Sequence, residues 1–140
     1  MLPNALAKTW ASPNTAVGLL LGALGLALGG TRPRIDNNAI ELCGNRVIAP
    51  FTAAVTFGHV ILYASREPDA RIRLHERQHT YQAEVLGPLY LPLHIGFQIA
   101  AFIYSFFDRS RRYTCVNDRV HSRANLLEIG PMASPPRAWP

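Results

Sequence analysis

Charge is scarce in this chain. Asp, Glu, Lys and Arg make up only 16% of its 140 residues, against roughly 25% in an ordinary soluble domain, and the deficit points toward lipid. Bases outnumber acids fourteen to nine, but the excess is scattered instead of forming a block interleaved with aromatics. No nucleic-acid partner is therefore expected, whereas scattered arginines suffice for attraction to anionic membrane lipid. Cysteine is also scarce: Cys43 and Cys115 stand far apart and outside any C-x-x-C pattern, so neither a disulfide framework nor a zinc knuckle is indicated. A single bridge between them and two small core residues both stay open. The length suits one domain, without a second independent core.

What the chain has instead is apolar runs. Residues 15–30, TAVGLLLGALGLALGG, read as a hydrophobic helix after Pro13, with Asn14 or Thr15 as its cap. At 1.5 Å per residue it reaches about 24 Å, short of a roughly 30 Å hydrocarbon layer unless flanking residues help. Gly18, Gly22, Gly25 and Gly29 fall on one helical face, a stripe that allows close approach of another helix and so predicts a helix-mediated homodimer. Lys8 ahead of the run, with Ala27 and Gly29 behind, is also the pattern of a secretory signal.

Residues 31–65 turn to branched and aromatic residues punctuated by Asn, Gly and Pro, which predicts a short antiparallel sheet. RIDNNAIELCGNRVI reads as a hairpin, and AVTFGHVILYAS as the best single strand. Residues 69–86 carry strong helix formers and stop at Gly87-Pro88. A second hydrophobic helix is expected over 89–107, interrupted by Pro92, His94 and Gln98; the two polar residues, one turn apart, predict a seam facing protein. A C-terminal helix is expected over 118–129 and a disordered Pro-rich tail over 131–140. The whole is an α+β chain, with residues 1–130 as one domain.

The chemistry sits in the 69–86 helix, where His75, Glu76 and His79 spell H-E-x-x-H. Random placement of five His and five Glu in this length gives the pattern with an expected count of roughly 0.006. On a helix, His75 and His79 lie one turn apart on one face, so both imidazoles can reach a single Zn²⁺. Glu76 sits about 100° round, placed to take a proton from metal-bound water as general base. That is the chemistry of a zinc-dependent metallopeptidase acting on a peptide or protein. Gln82, seven residues beyond His75, lies on the same stripe and could hold a ligand or substrate through its amide.

A catalytic zinc site takes three protein ligands, and the usual third positions are absent: Gln82 and Val85 replace the Gly and His of the longer H-E-x-x-H-x-x-G-x-x-H pattern. His59, Glu84, His94, Cys115, Asp118, His121 and Glu128 remain. Glu84 follows His79 too closely on the same helix and Asp118 reads as a cap; His121 is the choice, with Cys115 and Glu128 behind it. The 89–107 segment must then not cross a bilayer, since crossing would put His79 and His121 on opposite sides.

The pieces TWASPNTAVGLLLG, TFGH, HERQHTYQAEVLGPLYLP and DRVHSRA together resemble a family of small bacterial HExxH proteins, zincin-like and membrane-associated. The resemblance covers Trp10 to Ala124. It departs at the C-terminal piece, where the family's N-P-F-E-x-x-A places Glu on the position of His121; imidazole can replace that carboxylate on zinc, and a lost site is the competing consequence. The resemblance implies a minimal zincin-like metallohydrolase fold at a membrane, most readily a bacterial inner membrane. By analogy with that architecture, His59 opens a strand past the cleft and could touch substrate, although a structural histidine is the plainer role. The alternative function is a membrane-associated binding or scaffold protein with a structural or vacant metal site.

Overall fold

The computed structural model describes residues 4–36 and 38–107. The expected C-terminal helix with His121, the tail and Cys115 lie outside them. The order is helix α1 (Asn4–Trp10), helix α2 (Ser12–Ala27), strands β1 (Arg32–Asp36), β2 (Ala39–Cys43), β3 (Ala54–Phe57) and β4 (Val60–Tyr63), then helix α3 (Ala70–Leu86), a 3₁₀ turn at Gly87–Leu89, and helix α4 (Tyr90–Phe107). The protein is α+β with one small sheet.

The sheet is mixed, not purely antiparallel. Its order is β1-β2-β4-β3; β1 pairs antiparallel with β2 from Arg32↔Cys43 to Asp36↔Ala39, as the hairpin reading requires. The chain then passes to the far edge, enters β3 and returns as β4 beside β2, so the central pair is parallel. The stretch expected as one long strand is thus two, β3 and β4, paired antiparallel around Gly58-His59. Gly58 takes φ +62, and its Cα faces Thr15 so closely that a Cβ would overlap the hydroxyl. A run with apolar residues on both sides reads as continuous, but only glycine turns the chain back so tightly.

Alternation sorts the strands into two faces. Leu42, Val60 and Leu62 form one cluster with Phe57 and Leu21, toward α2. Ala39, Cys43, Ile61 and Tyr63 form the other, with Ile72 of α3 packed on it. The central strand β4 is buried along its whole length because it is covered on both sides. The sheet is the middle layer between α2 and α3.

The glycine stripe explains how α2 sits so close. A Cβ on Gly18 would stand 2.7 Å from Val60 Cβ and 2.8 Å from Phe57 Cβ, well inside van der Waals contact. Gly22 faces Leu42 and Gly25 faces Asn45 in the same way. The face expected to receive a second helix is therefore filled, at these three glycines, by the sheet and the Asn45 loop of the same chain. Gly29 is not on the stripe at all: α2 ends at Ala27, and Gly29 and Gly30 leave it at φ +75 and +90.

Two helix starts differ in kind. Asp69 caps α3, its carboxylate accepting from Arg71 N at 2.7 Å, a contact within three residues. Asn14 does not cap α2, which starts at Ser12 with Pro13 in its first turn; it lies inside, buried, and donates from Nδ2 to Gly87 O at 2.6 Å. No helix among the described residues is long and apolar enough to cross a membrane.

Candidate metal centre

One turn of α3 brings His75 and His79 together: their Nε2 atoms are 3.0 Å apart and the rings meet nearly at right angles, 82°, with centroids at 4.7 Å. Two imidazoles bound to one tetrahedral zinc at 2.0–2.1 Å would hold their nitrogens about 3.3 Å apart, so the observed separation needs to widen by only about 0.3 Å to fit an ion.

Gln82 decides which nitrogen is available. Its Oε1 lies 2.9 Å from His79 Nδ1, and a carbonyl oxygen can only accept. Nδ1 therefore carries the proton and Nε2 keeps its lone pair, directed at His75. This is the tautomer a zinc ligand needs, held as metal-binding histidines usually are, by an acceptor on the ring's other nitrogen.

Glu76 lies round the helix, buried, on the side facing β3. Thr56 Oγ1 donates to its Oε2 at 2.7 Å. A buried carboxylate demands such a partner, and the contact fixes the direction of the group expected to act as base. The T-x-G-H piece supplies that threonine, which the sequence did not mark out as functional.

The start of α4 closes over the pair. His94 is buried, with its ring edge-on to His79 at 5.0 Å and stacked on Tyr90 at 5.4 Å. Gln98 Nε2 lies 2.9 Å from His94 Nε2; an amide NH₂ only donates, so His94 Nε2 accepts. The expected polar seam on α4 thus faces protein, at the HExxH pair. Tyr90 had no signal beyond its place after Gly87-Pro88. Among the described residues no three His, Cys, Asp or Glu side chains converge as a metal-binding group, and His121 lies outside them.

The remaining site residues tie α3 to its surroundings. His59 Nε2 donates to Glu84 Oε1 at 2.8 Å, both side chains buried, so Glu84 is held by the β3–β4 turn. His59 N donates to Thr15 Oγ1 at 3.2 Å, and Gly87 abuts the Trp10 indole so closely that a Cβ would overlap it. The W-x-x-P-N-T, T-F-G-H and G-P pieces, far apart in sequence, meet at the C-terminal end of the HExxH helix.

At the other end, Arg77 Nη2 contacts Asp36 Oδ2 at 2.5 Å, and Arg73 and Arg77 stand 3.7 and 3.9 Å from the fully buried Glu41 carboxylate. Arg77 is thus engaged with these acids on the sheet. Burial, with Glu41 and Glu76 nearby, pushes the Tyr63 phenol well above its ordinary range. Burial, then Glu41, raises the Cys43 thiol.

Comparison with known proteins yields no matching family model, no matching curated protein and no matching solved structure.

Proposed function

We propose that the protein is a zinc-dependent metallopeptidase of minimal zincin-like type. His75 and His79 hold Zn²⁺ through Nε2, His121 supplies the third ligand, and Glu76 takes the proton from the water that attacks a peptide carbonyl. Zinc contributes the Lewis acidity that makes that water a nucleophile near neutral pH. The observation that carries this reading is the apposition of the two Nε2 atoms at 3.0 Å, with Gln82 fixing the ligating tautomer of His79. The substrate class is supported by β3, an edge strand packed beside α3, to which an extended peptide could add.

The test is zinc content together with cleavage of a mixed peptide library by the purified chain and its Glu76→Gln variant. The proposal expects both to hold zinc and the variant to lose cleavage by about 10²–10⁴-fold. A variant that cleaves as fast as the parent defeats the mechanism. A second reading, a binding or scaffold protein with a structural or vacant site, is favoured by the lack of a converging third ligand among the described residues. It expects no cleavage by either form.

A further inference from the structure

The side of α2 turned away from the sheet is apolar throughout. With Gly18, Gly22 and Gly25 seated on β2, β4 and the Asn45 loop, the helix presents Leu19, Leu20, Leu24 and Leu26 outward, with Leu28 just past its end and Leu6 on α1 before it. All six are 46% exposed or more, and Leu20 reaches 73%. No charged residue lies between Lys8 and Arg32. Single exposed leucines mean little, but a row along one whole helix face marks a surface that something covers.

We infer that this face lies flat in the surface of an anionic bilayer, α1 and α2 entering the headgroup–acyl boundary side-on. The charges select lipid. Residues 1–35 contain no Asp or Glu, and the apolar face is bracketed by Lys8 and Arg32, both exposed. Such cations reach headgroup phosphates while leucines sit among the acyl chains. A second copy docked through the same face would bring like charges together in either orientation: Lys8 on Lys8 if parallel, Lys8 on Arg32 if antiparallel. The glycine stripe fixes the orientation, because the opposite side of α2 is bound to the sheet and the helix rises only about 24 Å, so it lies along the membrane instead of crossing it. This inference stands apart from the metal reading, and its test uses no activity.

Flotation of the whole 140-residue chain with vesicles of phosphatidylcholine alone, or with about one third phosphatidylglycerol, reads the interaction directly. The protein is expected to float with the anionic vesicles. The Leu20→Glu, Leu24→Glu double variant, changed only at exposed positions and checked for an unchanged circular dichroism spectrum, is expected to bind at least about tenfold less. The Lys8→Glu, Arg32→Glu variant should no longer float better with the phosphatidylglycerol vesicles than with phosphatidylcholine alone. In a Trp139→Phe background, brominated lipids should quench Trp10 more strongly with shallow than with deep bromines. The inference is overturned if the wild type stays at the bottom of the gradient. A dimer there that Leu20→Glu dissociates would assign the face to a second copy. It is equally overturned if the leucine variant floats like the parent or if deep bromines quench best.

Discussion

Gln82 Oε1 accepts from His79 Nδ1 at 2.9 Å, three residues along the same helix, and so sets the lone pair of His79 Nε2 toward His75. An acceptor in this place holds the ring and its tautomer before any ion arrives. Gln82→Leu keeps the volume but removes the acceptor. Zinc affinity, measured by competition with a chromophoric chelator, should fall about 10–100-fold, whereas Gln82→Glu, which retains an acceptor, should bind at least as well as the parent.

Glu84 and His59 form a buried pair at 2.8 Å that joins the β3–β4 turn to α3. Removing the carboxylate leaves a buried imidazole N–H with no acceptor. Glu84→Ala should lower stability by about 2–4 kcal/mol in denaturant unfolding; a change under about 0.5 kcal/mol would show that the pair does not hold the turn.

Gly18→Ala tests the seat of α2 through a sign. On an exposed helix face the replacement would gain about 1 kcal/mol. Here the new Cβ would meet Val60 Cβ and Phe57 Cβ at 2.7 and 2.8 Å, atoms fixed close to the backbone, and overpacking typically costs 1–3 kcal/mol. The expected outcome is a net loss of about 1 kcal/mol by urea denaturation, while a gain would mean that α2 does not rest on the sheet.

The helix that carries the candidate site was readable because its signals are local. Strong helix formers run through it, Gly87-Pro88 stops it, and the spacing of His75 and His79 alone places their rings on one face; the Asp69 cap is seen only in the structure. The β1–β2 hairpin was readable for the same reason, with Asn37-Asn38 between alternating strands. What was not readable depends on partners distant in sequence. Asn14 has the chemistry of a cap, but its hydrogen-bond partner is 73 residues away. Gly58 interrupts an apolar run that looks like one strand until Thr15 is seen against it. Gly18, Gly22 and Gly25 of the expected stripe do mark a close approach, yet glycines alone cannot say whether a helix or a sheet will fill it. Thr56 and Tyr90 gain their places beside Glu76 and His94 only from the packing of α3 between sheet and α4.

The Tyr63 phenol titrates above its ordinary value in the fold because it is buried, with the Glu41 and Glu76 carboxylates nearby. The unfolded chain therefore releases this proton first, near the usual tyrosine value of about 10. Stability from Tyr63 is fully present below that pH and is lost as pH rises through and beyond it. Cys43, also raised, acts with the same sign from about pH 8.5 upward. Urea unfolding from pH 8 to 11.5 should show a falling midpoint, and Tyr63→Phe should flatten the part above about pH 10. An equally steep fall in the variant would exclude Tyr63 as its source.

The account turns on whether His75 and His79 share an ion, and metal analysis of the purified 140-residue chain beside His79→Ala, His94→Ala and His121→Ala tests this most directly. One zinc per chain is expected in the parent, tightly bound in neither His79→Ala nor His121→Ala, and retained in His94→Ala, whose ring lies edge-on to His79 and whose Nε2 accepts from Gln98. A parent free of zinc after loading at neutral pH, or a His79→Ala variant that keeps its full complement, would contradict the metal centre.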